Sequence, residues 1–210
     1  MSRLVLTADQ IYAMAYILKA KYLDYFYISL SNRSDDNKLW LSEMTKQLVS
    51  LGVLVEDFSG ETSIDPNIEK LVNPLFFSNM ESSLDINIFG DEEDNSGYRF
   101  HFLDGNITLV RSVEEGFEIS ETSPDEIKDL VSSIISSDYT ADSSKVDMTF
   151  DSTKVSRIIV AKNTDLSVGS VVLTFVESDG VIYEEDIDDN VFSVSKDDFI
   201  EKLNRVLTEV

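Results

Sequence analysis

Apolar and polar residues alternate over several short segments in the second half of the chain, and the same order of segments occurs twice. The first set is Leu84-Asp85-Ile86-Asn87-Ile88, Tyr98-Arg99-Phe100-His101-Phe102, Ile107 to Val110 and Phe117-Glu118-Ile119. The second is Arg157-Ile158-Ile159-Val160, Val171 to Phe175, Val181 to Tyr183 and Phe192-Ser193-Val194. A period of two predicts strands with one buried face. The turns Asp104-Gly105-Asn106 and Ser178-Asp179-Gly180 predict antiparallel hairpins between them. Each set ends in a helix signal. Ser123-Pro124-Asp125-Glu126 is a capping box with Pro at the first helical position, and Ser195-Lys196-Asp197-Asp198 repeats the cap 72 residues on. At the same offset Ile127, Val131, Ile134 and Ile135 match Phe199, Leu203, Val206 and Leu207, one apolar stripe of a helix. The pattern reads as an internal duplication, one copy from about Leu84 to Ser136 and the other from about Val155 to Val210.

The first 80 residues carry a different rhythm. Thr7 and Gln10 form a second capping box, followed by Ile11, Met14, Ala15 and Leu18 on one face and the Tyr12/Tyr16 stripe beside it. This helix either runs on through Tyr22, Leu23, Tyr25, Phe26 and Ile28 or breaks near Lys21. A second helix is expected from about Lys38 to Leu51, stopped by Gly52, and a short strand at Val53-Leu54-Val55. A third helix is expected to be capped by Asp65, started by Pro66 and ended at Asn73-Pro74. The expected fold class is α+β: an antiparallel β-sheet built from two quasi-two-fold related β-meander-plus-helix halves, with an N-terminal helical lobe. The expected organisation is a helical lobe at 1–80, a first half at 81–136, a connector at 137–154 with a short edge strand at Asp147 to Phe150, and a second half at 155–210, in one compact domain.

Composition narrows the partners. The net charge is −23, of which residues 1–80 contribute −3 and residues 81–210 contribute −20. Such a field repels phosphate backbones and anionic lipid, so nucleic-acid and membrane partners are not expected. The same argument sets aside a winged helix, since the helix after Lys38 is not basic. There is no cysteine, which removes disulfides, thiol catalysis and thiolate metal sites. The N-terminus offers no signal-peptide core and no segment approaches the roughly 20 apolar residues of a membrane span. A soluble cytoplasmic protein is expected.

Catalytic chemistry finds no anchor. His101 is the only histidine and has no elbow or second ligand to work with. Asp91-Glu92-Glu93-Asp94 lacks the spacing of a calcium loop, and its counterpart Asp186, Asp188 and Asp189, preceded by Glu184 and Glu185, is likewise a bare acidic turn. Such loops are either solvated or steer a basic or amide-rich partner. The expectation is a protein without enzymatic activity, cofactor or metal.

The order helix, helix, glycine, strand, Asp-Pro helix resembles the N-terminal part of the EspG family, cytoplasmic chaperones of type VII secretion systems. The resemblance is carried by Leu48-Val49-Ser50-Leu51-Gly52-Val53-Leu54-Val55-Glu56-Asp57 and by Ile64-Asp65-Pro66-Asn67-Ile68-Glu69-Lys70-Leu71-Val72-Asn73-Pro74. The chain is shorter than typical actinobacterial members and looks like a compact relative from a Gram-positive locus. The resemblance implies a chaperone that holds a secreted helical-hairpin protein soluble for export, with the acidic loop touching the client. The partner-binding candidates are Asp91, Glu92, Glu93, Asp94, Phe100, Phe102 and Leu109, with the outer side of the helix from Ile127 to Ile135. The competing expectation is an acidic immunity protein or inhibitor that neutralises a toxin. A homodimer is left open.

Overall fold

The computed structural model describes residues 3–20, 22–29, 37–89, 95–135, 152–185 and 191–208. It is an α+β structure with a large antiparallel sheet and, among the described residues, six α-helices. Two compact units are distinguished, residues 1–78 with 101–121, and residues 79–100 with 122–210.

In the first unit, strand β1 (Arg3–Leu6) leads directly into α1 (Ala8–Ile17). Thr7 does what its sequence suggests: its side chain accepts from the Gln10 N–H, while the Gln10 side chain accepts from the Thr7 N–H at 2.9 Å. The helix stops at Leu18 because Lys19 turns left-handed (φ 54°), and the aromatic segment that follows forms a separate short helix, α2 (Tyr25–Ser29). Helix α3 (Asn37–Ser50) ends where expected, with Gly52 at φ 71° and the Val53 N–H closing back onto the Leu48 carbonyl. Strand β2 (Leu54–Glu56) pairs with β3 (Thr62–Ile64) around a turn built on Asp57, whose carboxylate accepts from Ser59 and Glu61.

Helix α4 (Glu69–Phe77) departs from the sequence reading at both ends. Asp65 does not cap it. The carboxylate instead closes a local turn by accepting from the Asn67 backbone and side-chain amides, and Ile68 occupies the cap position. Pro74 does not end it either. The helix continues for one more turn because Leu75 and Phe76 are buried, which outweighs one lost backbone hydrogen bond. Strands β6 (Asn106–Val113) and β7 (Gly116–Thr122) complete this unit. β1 runs antiparallel to β7, placing Leu4 opposite Ile119 and Leu6 opposite Phe117. These residues join Ile11, Met14, Tyr27, Leu48, Leu71 and Val110 in one core. Helix α4 lies on β6, where the buried Thr108 hydroxyl donates to the Leu71 carbonyl at 2.9 Å.

The second unit holds β4 (Met80–Ile88), the first part of β5 (Asn95–Leu103), α5 (Pro124–Ile134), β8 (Val155–Asp165), β9 (Gly169–Ser178), β10 (Val181–Glu185), β11 (Val191–Ser193) and α6 (Lys196–Thr208). Its strands follow the order β5-β4-β8-β9-β10-β11, and those of the first unit the order β1-β7-β6-β5. The element order strand-strand-strand-strand-helix occurs twice, and β4, which opens the first run, pairs antiparallel with β8, which opens the second. The eight strand segments and two helices expected over these residues are present among the described residues. The boundary between the units passes through β5 and through the last residue of β7. Asp104 and Gly105 (φ 51° and 79°) and Asp179 and Gly180 (φ 52° and 75°) make the same kind of tight hairpin turn. The connector, with its expected strand at Asp147 to Phe150, lies outside the described residues.

The ladders sort the second unit's side chains into two faces. Leu84, Ala161 and Leu173 form one row, and Ile86, Ile159, Phe175 and Glu184 the next. Helix α6 covers this face: Phe199 packs edge-on against Phe175 with centroids 4.8 Å apart, and Lys202 pairs with Glu184. At its C-terminal end the Ser82 hydroxyl and the Asn163 amide donate to the Leu207 and Val206 carbonyls, satisfying groups that a helix end leaves open. Helix α5 packs against α6, and Arg157 ties it to the sheet by donating to the Ile134 carbonyl (2.7 Å) and to Glu177. Its cap is the Ser123/Glu126 box. Ser123→Ala is expected to cost about 1 kcal/mol, read by chemical denaturation; a loss below a few tenths would mean that α5 is held by packing alone.

Candidate partner surface

In each unit the described helices pack on one face of the sheet. In the first unit, His101, Thr108, Val110, Phe117 and Ile119 point into the core. His101 is buried and hydrogen bonded to the buried Tyr27 hydroxyl at 2.9 Å, within an aromatic group that also contains Phe117 and Phe26. Its position is structural. Alternation places Phe102 and Leu109 on the opposite face, and both are half-buried. They share that face with an ion-pair group that the sequence pattern did not single out. Glu118 on β7 is buried, and its carboxylate is held by Arg111 of β6 (2.7 Å) on one oxygen and by Arg3 of β1 on the other. Two arginines on one buried carboxylate tie three adjacent strands together, the geometry in which a buried acid is tolerated.

In the second unit, the face away from α5 and α6 carries the rows Asp85–Val160–Thr174 and Asn87–Ile158–Val176–Tyr183, with Lys162 and Val172 beyond. Arg99 lies on this face too, donating to Asp85 at 2.8 Å. Ile158, Val160 and Tyr183 are half-buried, so this face presents aliphatic surface flanked by charge. Val176 and Arg99 on this face are buried, and Lys162 and Val172 are exposed.

Phe100 requires a correction. The sequence reading put it on the same open face as Phe102 and Leu109. In the structure it is fully buried in the second unit, while the chain enters the first unit at the next residue. A buried phenylalanine offers nothing to a partner. On α5 the stripe Ile127, Val131, Ile134 and Ile135 is buried, and the outer side of the helix carries Lys128, Asp129, Ser132 and Ser133. Asp91, Glu92, Glu93 and Asp94 lie outside the described residues, as do Asp186, Asp188 and Asp189.

The electrostatic character is acidic throughout. Four cations of the second unit are engaged: Arg157 with Glu177, Lys154 with Asp179, Lys202 with Glu184, Arg99 with Asp85. Excess carboxylate is left to set the field. At two turns it is held charged below the usual range. Asp57 is lowered chiefly by the Ser59 hydroxyl and Asp165 by the Ser167 hydroxyl, with backbone N–H groups adding to each. Among the described residues no three His, Asp or Glu side chains converge as metal ligands, and no helix is long and apolar enough to cross a membrane.

No family model matches the chain, and no curated protein matches it. Among solved structures, it matches the Mycobacterium tuberculosis type VII secretion system chaperone EspG5, determined in complex with the PE25–PPE41 dimer. The match has a TM-score of 0.61 at 8% sequence identity and covers 99% of this chain and 96% of that one. The chain has the EspG5 fold. At this identity the likeness is one of architecture. Coverage is nearly complete in both directions, so the likeness extends over the whole chain.

Proposed function

We propose that the chain is a non-enzymatic chaperone that binds a helical type VII secretion substrate in the cytoplasm and keeps it soluble for export. The observation that carries this is the end-to-end match to EspG5, a chaperone whose solved structure holds a bound protein dimer. The physical requirement is a surface able to accept an amphipathic helical tip, apolar with a charged rim. The face of the second unit away from α5 and α6, with Ile158, Val160 and Tyr183 beside the Arg99–Asp85 pair, has that make-up. Phe102 and Leu109 in the first unit also stand on the face opposite the core. The acidic field favours a client tip that is neutral or basic.

Co-expression with helical secreted proteins from the same locus tests the reading. A stoichiometric complex through size exclusion is expected, and failure of every such protein to co-purify would end it. Within that complex, replacing Asp91, Glu92, Glu93 and Asp94 together with Ser is expected to weaken client binding by about tenfold with melting unchanged. Unaltered affinity by titration calorimetry would show that these acids only solvate the chain.

A further inference from the structure

Strand β9 extends past the strand beside it. Its residues 174–178 pair with β10, whereas Gly169 to Leu173 pair only with β8. Along their other side these residues have no strand partner among the described residues. Their side chains are uncovered too. Val171 and Val172 point to opposite faces, yet are 57% and 53% exposed, and Val168 in the adjoining turn is 87% exposed. The turn is well made, with the Asp165 carboxylate accepting from the Ser167 N–H and hydroxyl, so the exposed valines stand on an ordered hairpin.

Sequence adds a second, independent feature. Leu166 to Val176 is 11 residues without a charged side chain, the longest such run in a chain of which 27% is charged. Protein edges are ordinarily blunted by lysine, proline or a bulge. This edge has neither residue, and the one register shift of the β8–β9 ladder falls at its far end, between Val155 and Arg157.

An unpaired strand edge is satisfied by another extended strand, not by a helix. For two chains of net charge −23, contact is resisted wherever carboxylates would meet, and this run is where they would not. We propose that Gly169 to Leu173 pairs antiparallel with the same segment of a second copy, about a two-fold at Val171. Val171 then faces its own counterpart on one side of the sheet. Val172 faces the second copy's Ser170 on the other, and no carboxylate enters the ladder. The same patch serves both copies, as a two-fold interface requires. Five residues span about 17 Å of strand, and the contact falls short of the roughly 1,600 Å² of a stable complex, so the dimer is weak and reversible. It rests on the second unit alone and holds whether or not the client reading does.

Sedimentation velocity on the full chain, from low micromolar to several hundred micromolar, tests this. The average mass is expected to rise toward that of a dimer, and to rise further with added salt, which screens the repulsion between copies. Val171→Lys combined with Val172→Lys is expected to hold the chain monomeric at every concentration, with an unchanged melting curve because both side chains are already exposed. A single Val171→Cys, in a chain that has no other thiol, is expected to oxidise to a covalent dimer about tenfold faster than Val168→Cys, although Val168 is the more exposed. A monomer under all conditions, a dimer that survives the double lysine, or equal crosslinking rates at the two cysteines would each overturn the proposal.

Discussion

Phe199→Ala is expected to destabilise the second unit by about 3–5 kcal/mol, the largest loss from any single truncation considered for this chain. Phe199 is fully buried, stands in the first turn of α6, and packs on the equally buried Phe175 of β9. Leu203 and Leu207 continue the same stripe and are also fully buried, so the cavity cannot be closed by sliding the helix without uncovering them. Phe175→Ala is expected to cost a similar amount. Because the two rings share one contact, the double variant is expected to cost less than the two losses added. Phe192, 37% exposed on the same face, is the control and is expected to lose about 0.5 kcal/mol or less. Urea unfolding followed by far-ultraviolet circular dichroism measures all four. A Phe199→Ala loss below about 1 kcal/mol would show that α6 is not seated on the sheet as described.

Local rules carried the sequence reading a long way, and their range explains where it stopped. Capping boxes at Thr7/Gln10 and Ser123/Glu126, the Asp-Gly turns and the stripe from Ile127 to Ile135 each involve residues a few positions apart, so the sequence states them outright. Strand β1 has no local signature, because its partner lies far along the chain, Leu6 opposite Phe117, and Leu4-Val5-Leu6 shows no alternation. Strand β3 is too polar and short to register alone. At Asp65 and Pro74 a correct local preference lost, in one case to a rival turn and in the other to the burial of Leu75 and Phe76.

The candidate surface was less legible for the same reason. Alternation says which residues share a face, but not which face a helix will cover. Phe100 and Phe102 obey the pattern equally, yet only Phe100 is fully buried. Glu118 looked like one acid among many, and its burial between Arg3 and Arg111 follows only from the register of three strands. The exposure of Val171 and Val172 at the start of β9 could not be anticipated either, since a run of valines reads as buried strand.

Gly116→Ala is expected to destabilise the first unit by about 3 kcal/mol or more, for a reason that involves no lost contact. Gly116 opens β7 at φ 142°, a region that L side chains rarely enter. A Cβ built there would lie 2.5 Å from the Leu6 carbonyl oxygen, 3.1 Å from its carbon and 3.2 Å from the Thr7 Cα. All three are backbone atoms, so no rotamer change relieves the clash. The chain at that point is the junction of β1 with the cap of α1. Moving it strains the Leu6–Phe117 pairing, the buried Leu6 side chain and the Thr7/Gln10 box together. Gly105→Ala separates the two sources of cost. Gly105 also has a positive φ, 79°, but nothing lies within 4 Å of its Cβ position, so only the backbone preference is lost, about 1–2 kcal/mol. Denaturant midpoints of the two variants, compared with the wild type, decide it. If Gly116→Ala costs no more than Gly105→Ala, the β1–α1 junction does not pass as close to β7 as described, and the three-strand tie through Arg3 and Glu118 loses its geometric basis.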